Sequence, residues 1–325
     1  MKVGIEFVPY SPLKKLGELG KEIEKAGFDH IWVSDHYHNR FVHSVLSYLA
    51  LKTNQVSLGP GVTNPYLIHP AVTAAASATL DELSDGRATL GISAGDPFFL
   101  QTVGMKHEKP ITTVRESIEV IRGLLSGEKF DYSGEKFSCN GAEIRFSPKK
   151  PIPIYVGGRG KQMLGVAGSH ADGALINAAH PEDIKESIKY IKKGAEKADV
   201  DLEDFDFVAY MATSLGDDVE KAREKARTVT AFVASSAPKS SIERENISDE
   251  SIEEVRKHLK SGNISKARDA VTGKMIDAFS VSGKIDLLES RIRELKKLGV
   301  TQVVTGSPIG LDTKKAINQI GEILD

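Results

Sequence analysis

The sequence contains a single cysteine, Cys139, and no long apolar run. One cysteine can form neither an intrachain disulfide nor a cysteine-based metal cluster, which excludes a disulfide-stapled scaffold. No apolar stretch approaches the roughly 20 residues that a membrane-spanning helix requires, so we expect no membrane partner. The first residues lack the basic head and the long apolar segment of a signal peptide. We therefore expect a cytoplasmic protein.

An excess of charge of one sign is also lacking. The sequence has 43 Lys and Arg against 45 Asp and Glu residues, which gives a formal net charge of −2. A chain with so little net charge has no overall field that attracts nucleic acid, so we expect no nucleic-acid partner. Hydrophobic residues make up 40% of the 325 residues, which is typical of a globular protein with a substantial core.

What the sequence does contain is a regular alternation of short β-branched runs and longer amphipathic segments. This pattern predicts strands at 3–8, 30–33, 55–58, 87–92, 153–156, 174–176, 205–213 and 302–305. It predicts helices at 13–26, 45–52, 70–83, 112–126, 161–168, 181–195 and 313–324. Eight strand–helix alternations without a dividing linker predict an α/β fold, a single (β/α)₈ TIM barrel over residues 1–325. An open doubly wound sheet is the alternative.

Two segments interrupt this alternation. Residues 130–146 have alternating apolar positions around two glycine turns, which predicts a short β excursion. Residues 217–298 are too long for one barrel helix and contain helical patterns at 217–235, 251–261 and 264–278. We interpret them as a helical insertion plus a barrel helix between strands seven and eight. Such insertions commonly shape the substrate site of a barrel, and surface decoration or a subunit contact is the alternative.

Glu6 is the sharpest candidate residue, because active sites of such barrels lie at the C-terminal ends of the strands. Alternation places Val3, Ile5 and Phe7 on the helix-facing side of the first strand and Glu6 on the inward side. A buried, unpaired carboxyl group tends to hold a proton, which a general acid requires. A salt bridge to an inward Lys or Arg is the alternative, and the sequence leaves both open.

Asp35 and His36 follow the second strand. They can hydrogen-bond a ring or a carbonyl group, although the pattern alone favours a helix cap by Asp35 beside a surface His36. His38 and His43 lie nearby, but no paired metal-ligand spacing is present, so we expect no metal site.

The segment Gly157–Gly160 lies between the fifth strand and the following helix. Its glycines allow close backbone approach, the helix start offers N–H groups, and Arg159 or Lys161 adds positive charge, all of which suits a phosphate. A tight turn needs glycines too, and the Gly-x-Gly-x-x-Gly spacing of dinucleotide sites is absent.

Several motifs occur together and resemble one family. They are Gly4–Glu6, Trp32–His36, Gly61–Pro65, Gly86–Asp96 and Ile154–Gly160. As a set they resemble the bacterial luciferase-like barrels, and among these the coenzyme F420-dependent reductases of methanogenic archaea that act on methylenetetrahydromethanopterin. The resemblance covers essentially the whole chain.

The resemblance implies a reaction, a cofactor and an assembly. It implies a (β/α)₈ barrel that binds the deazaflavin coenzyme F420 across its strand ends and reversibly reduces the methylene pterin to its 5-methyl form. A homo-oligomer, a dimer or a tetramer, is also expected. Alternatives are an FMN-dependent monooxygenase of the same superfamily, a deazaflavin-dependent secondary alcohol dehydrogenase and a catalytically silent barrel.

The resemblance also implies roles for individual residues. Asp35 and His36 would line the coenzyme ring, and a cis peptide between Gly61 and Val62 would back it. Glu6 and Asp96 would face the pterin, with Glu6 as the expected proton donor. The coenzyme phosphate would be held by Gly157, Gly158, Arg159 and Gly160.

Overall fold

Parallel strands surround the centre of the molecule and helices cover them on the outside. The computed structural model describes residues 1–323. Its strands are β1 (Lys2–Phe7), β2 (His30–Val33), β3 (Ser57–Pro60), β4 (Leu90–Ile92), β5 (Phe130–Ser133), β6 (Ser138–Ala142), β7 (Ile154–Gly158), β8 (Gly173–Ile176), β9 (Asp206–Leu215), β10 (Val281–Gly283) and β11 (Gln302–Gly310).

The main sheet closes on itself. Its strand order is β3-β2-β1-β11-β9-β8-β7-β4, and β10 pairs with β9 outside this path. Two isolated parallel bridges, Leu58 to Ala88 and Thr63 to Ile92, join the β3 and β4 edges. The predicted (β/α)₈ barrel is therefore confirmed, and the open-sheet alternative is wrong.

The helices follow the strands in alternation. They are α1 (Leu13–Lys25), α2 (Val42–Ala50), α3 (Pro70–Ser84), α4 (Pro97–Thr102), α5 (Pro110–Leu125), α6 (Lys161–His170), α7 (Pro181–Ala198), α8 (Val219–Ser235), α9 (Lys239–Arg244), α10 (Asp249–Lys260), α11 (Ile264–Asp269), α12 (Gly273–Phe279), α13 (Ile285–Lys297) and α14 (Thr313–Glu322). The predicted end of the last helix at Leu324 lies outside the described residues. Within residues 1–323, no helix is both long and apolar enough to cross a membrane.

The barrel is packed on both surfaces of its sheet. Outward side chains of the strands, such as Ile5, Ile31 and Val303, are fully buried against the helices. Inside the barrel, a second cluster around Trp32 and Tyr155 fills the space between the strands. A filled interior leaves ligands only the ends of the strands, where the connecting loops form pockets.

The insertion between the seventh and eighth barrel strands has a hydrophobic cluster of its own. Helices α8 to α12 bury Ala234, Val255, Met275 and Phe279 together. The segment interpreted as a β excursion contains the antiparallel pair β5 and β6. Both features branch from the barrel without interrupting its strand order.

Some element boundaries differ from the sequence-based expectation. β11 continues to Gly310 instead of ending at Thr305, because its register with β9 shifts at a bulge between Gly306 and Ile309. The single helix expected at 264–278 is two helices, since the Thr272 hydroxyl caps a new helix by accepting a hydrogen bond from the Met275 N–H. The short elements α4, α9 and β10 were not anticipated.

Candidate active site

Glu6 lies in a cavity of about 740 Å³ at the C-terminal ends of the barrel strands. Glu6 is only 5% exposed to solvent. The Ser34 hydroxyl, just after β2, hydrogen-bonds Oε1 of Glu6. The Ser307 N–H, in the bulge of β11, donates to Oε2 at 2.8 Å. The inward orientation expected from strand alternation is therefore confirmed.

The electrostatic environment of Glu6 favours its protonated form. Burial raises the pKa of Glu6, and the hydrogen bonds from Ser34 and Ser307 offset this only in part. Among the described residues, no Lys or Arg nitrogen lies within 4.0 Å of the carboxyl group. The salt-bridge alternative is therefore wrong.

Asp35 lies behind the wall of this cavity. Its Oδ2 accepts a hydrogen bond of 2.7 Å from the Thr63 hydroxyl, and burial raises its pKa. Asp35 thus ties the segment after β2 to the segment after β3 instead of capping a helix.

His36 belongs to the wall itself. Its ring lies 5.5 Å from the His38 ring and 5.3 Å from the Phe99 ring. Burial lowers the pKa of His36, and the neighbouring His38 lowers it further. These shifts favour the neutral form of the His36 ring.

Gly61 and Val62 line a smaller cavity of about 370 Å³ beside the Glu6 cavity, and Gly61 lines both. The peptide bond between them is cis, as expected from the resemblance. The carbonyl of Gly61 accepts a hydrogen bond of 2.9 Å from the Tyr210 hydroxyl. A Cβ atom at Gly61 would lie 2.7 Å from Cβ of Trp32, so only glycine fits this position.

The loop Gly157–Gly160 lines the smaller cavity. Gly157 and Gly158 end β7, and Gly160 is the N-cap of α6. A glycine has no side chain to cap a helix, so the first N–H groups of α6 have no side-chain partner. Free N–H groups at a helix start favour an anion.

The side chain of Arg159 turns away from this loop. Its guanidinium group donates to the Val233 carbonyl at 2.8 Å, lies 3.9 Å from the Asp183 carboxylate and stacks over the Phe279 ring. Burial lowers the pKa of Arg159 to about 10, and Asp183 partly offsets this effect. Only the backbone of Arg159 is left to contribute to the loop.

Asp96 lies on the wall of the Glu6 cavity. It is exposed and is the N-cap of α4, where Oδ1 accepts a hydrogen bond of 2.8 Å from the Phe98 N–H. Glu6, His36 and Asp96 therefore share one cavity, while Val62 and the glycine loop share the other. The two cavities are adjacent, because four residues line both of them: Gly61, Asn177, Tyr210 and Ser236.

Three aromatic residues of the site were missed by the sequence analysis. Tyr210 lies inward on β9, and the alternation of that strand could have placed its hydroxyl in the barrel. Phe99 lies on the unanticipated α4, and Phe232 lies near the end of α8. No sequence pattern brings α4 and α8 together, because their contact depends on how the insertion folds.

Metal-binding side chains are not grouped in this structure. Within residues 1–323, no set of three or more His, Cys, Asp or Glu side chains is placed to hold a metal ion.

Comparisons with known proteins point to one family. The luciferase-like monooxygenase family model matches residues 2–302. The 5,10-methylenetetrahydromethanopterin reductase of Archaeoglobus fulgidus is 47% identical over 99% of this chain and 98% of its own length. A solved coenzyme F420-dependent tetrahydromethanopterin reductase from Methanopyrus kandleri superposes with a TM-score of 0.90 at 36% identity, covering 99% of this chain and 97% of its own. An F420-dependent secondary alcohol dehydrogenase superposes with a TM-score of 0.84 at 21% identity, covering 99% and 97%.

Proposed function

The chain belongs to the luciferase-like monooxygenase family, and we propose that within it the chain is an F420-dependent oxidoreductase acting on a CH–NH group. It reversibly reduces 5,10-methylenetetrahydromethanopterin to 5-methyltetrahydromethanopterin, a reaction of one-carbon metabolism in methanogenesis. The observation that carries this conclusion is the similarity to a reductase of that substrate over nearly the whole of both chains. The likeness to the alcohol dehydrogenase, at 21% identity, supports the fold alone.

The residues of the smaller cavity fit a deazaflavin that carries a phosphate, and when bound this coenzyme supplies the hydride. Val62 offers an apolar wall, and Gly157 packs against it where a Cβ atom would lie 3.1 Å from Cγ1 of Val62. At Gly160, a Cβ atom would meet nothing, so the loop is open beside the uncapped start of α6. We assign the ring to the Gly61–Val62 wall and the phosphate to Gly157–Gly160.

Glu6 is the proposed proton donor. When the methylene carbon becomes a methyl group, its bond to one nitrogen breaks and that nitrogen gains a proton. Burial without a cationic partner raises the pKa of Glu6 and so favours its protonated form, which suits this role. A hydroxyl group can accept as well as donate, so Ser34 can serve both protonation states of Glu6. After proton transfer, the Ser307 N–H stabilises the carboxylate.

The remaining site residues orient the two ligands. We assign His36, a neutral ring on the wall, to the coenzyme ring. Asp35 acts behind it by fixing Thr63 next to the Gly61–Val62 wall. Asp96 faces the same cavity as Glu6 and is assigned to the pterin.

The proposal is tested by mixing the protein with reduced F420 and the methylene pterin. We expect the pterin-dependent reappearance of the absorbance and fluorescence of oxidised F420. Parallel mixtures replace the pterin with acetone or offer FMN in place of F420, and both are expected to be inactive. Turnover of acetone without turnover of the pterin, or tight binding of FMN instead of F420, would contradict the proposal.

Two expectations concern the protein in solution. We propose a homo-oligomer, a dimer or a tetramer, and a cytoplasmic location. Size-exclusion chromatography with light scattering gives the mass of the assembly, and we expect two or four times the chain mass of 35.2 kDa.

A further inference from the structure

A row of four aromatic rings lines one side of the Glu6 cavity. The rings are those of His36, His38, Phe99 and Phe232, and we call this row the aromatic wall. Phe99 lies at its centre, with ring centroids 5.3 Å from His36, 5.0 Å from His38 and 5.9 Å from Phe232. These separations are in the range at which aromatic rings attract one another.

The wall is assembled from three parts of the chain that are distant in sequence. His36 and His38 follow β2, Phe99 comes from α4, and Phe232 comes from α8 of the insertion. Phe99 and Phe232 are stacked at an interplanar angle of 24°. The insertion therefore contributes a ring to the same surface as the barrel loops, which links it to ligand recognition.

Core packing does not account for Phe99. Its side chain belongs to none of the three hydrophobic clusters of the described residues and remains half-buried on the cavity wall. Leaving a large apolar ring partly exposed to water forgoes the free energy of burial. Apolar rings that line a concave surface beside a few polar groups are characteristic of ligand sites.

The chemistry of the wall favours an uncharged, flat occupant. The two phenylalanines carry no charge, and burial lowers the pKa of His36, which favours its neutral ring. The faces of such rings gain most from another planar ring. The smaller cavity already offers the wall of Gly61–Val62 and the phosphate loop for the coenzyme. The aromatic wall is instead on the side of Asp96, in the cavity that contains Glu6.

We infer that the two phenylalanines of the aromatic wall, Phe99 and Phe232, stack against the planar pyrimidine ring of the tetrahydropterin and make the site specific for substrates of that class, while His36 contacts the coenzyme ring. This inference rests on the proposed function and deepens it by assigning residues to substrate recognition. An aliphatic alcohol has no ring to stack, so the same wall selects against it.

The test replaces Phe99 by leucine, which keeps an apolar side chain but removes the ring. In Phe99→Leu we expect the dissociation constant of the pterin, measured by calorimetry without coenzyme, to rise roughly three- to tenfold. The KM for the pterin should rise by the same factor, while kcat and the dissociation constant of F420 stay unchanged. Phe232→Leu should also raise the dissociation constant and the KM of the pterin, and it replaces Phe99→Leu in the test if that variant does not fold.

Phe98→Leu is the matched control. Phe98 is the neighbour of Phe99 on α4, with the two ring centroids 5.2 Å apart, but it does not line the cavity. We expect pterin binding by this variant to match that of the parent. Unchanged pterin affinity in both wall variants would overturn the inference, as would a loss of F420 affinity in place of pterin affinity. The unmodified protein distinguishes the proposed function from the stacking inference. If it does not turn over the pterin, the proposed function itself is contradicted.

Discussion

At the scale of single residues, the position of Glu6 follows from the sequence but its surroundings do not. Alternation along a six-residue strand is enough to point Glu6 inward. Its two hydrogen-bond partners are Ser34, just after β2, and Ser307 in β11, and the sequence left a salt bridge equally open. Which groups meet inside a closed barrel depends on the stagger of all its strands, and a single strand carries no record of that stagger.

The role of Glu6 leads to a kinetic prediction. Glu6→Gln keeps the shape and most of the hydrogen bonding but removes the transferable proton. General acid catalysis contributes about 10²–10⁴ in rate, so we expect kcat to fall by that order. The dissociation constant of F420 should be nearly unchanged, which is measured by fluorescence titration. If turnover stays within a few-fold of the parent, Glu6 has a structural role, and Asp96→Asn becomes the variant to measure.

The raised pKa of Glu6 also predicts a pH dependence of stability. In the unfolded chain this group titrates near its ordinary value of 4.5, and burial moves the folded value upward. The shift adds stability that is fully present below pH 4.5 and is lost as the pH rises through the folded pKa. We therefore expect the free energy of unfolding of the parent, relative to Glu6→Gln, to decrease with pH across that interval. Parallel denaturant titrations of both proteins over pH measure this difference, and a constant difference would show that burial does not govern Glu6.

At the scale of elements, short and capped pieces were the hardest to predict. The long helices α1 and α7 have strong apolar periodicity, α3 begins at a proline, and all three appear close to their expected positions. The six-residue helix α4 starts at an Asp-Pro pair and offers too few positions for a period to show. Because Phe99 lies on α4, the sequence analysis missed this residue of the candidate site for the same reason.

The Gly157–Gly160 loop illustrates the difference between a motif and its side chains. The glycines and the helix start are where the sequence placed them, but the Arg159 guanidinium is buried against Val233 and Asp183. A glycine-rich loop constrains its backbone, and it does not specify the direction of the one long side chain it contains.

Arg159 should therefore affect stability more than coenzyme binding. Arg159→Ala leaves the buried Val233 carbonyl and Asp183 carboxylate with fewer partners, and we expect the free energy of unfolding to fall by about 1–3 kcal/mol. Lys161→Ala is the contrasting variant, because Lys161 is exposed in the first turn of α6. It should weaken F420 binding about two- to fivefold, with unchanged stability. If Arg159→Ala weakens F420 binding but leaves the free energy of unfolding unchanged, the Arg159 side chain does contribute to the phosphate site.

At the scale of the whole molecule, the barrel was predictable because its signal is repeated. Eight alternations of strand and helix identify the fold even when single boundaries are predicted a few residues away. β3, for example, lies at Ser57–Pro60 instead of 55–58, and β11 extends to Gly310. The insertion gives only one helical region without a repeat, so the sequence could identify it but not arrange its helices. Its contribution to the cavity, through Phe232 and the end of α8, needed the three-dimensional structure.

The separate hydrophobic cluster of the insertion predicts that the insertion opens more readily than the barrel. The cluster of α8 to α12 is separate from the main core, and stability that rests on a local cluster can be lost without global unfolding. Native-state hydrogen exchange should therefore give lower opening free energies for amides of α10 to α12 than for those of β1 and β11.

Val255 and Val303 provide a matched pair for this test, since both valines are fully buried, one in each cluster. Truncation to alanine removes the same two methyl groups and costs on the order of 2 kcal/mol. Val255→Ala should lower the opening free energy of the insertion amides by that amount and leave those of β1 unchanged. Val303→Ala should lower the opening free energy of the barrel amides, because β11 pairs with β1 on one side and with β9 on the other. Equal changes in both regions for both variants would mean that barrel and insertion unfold as one unit.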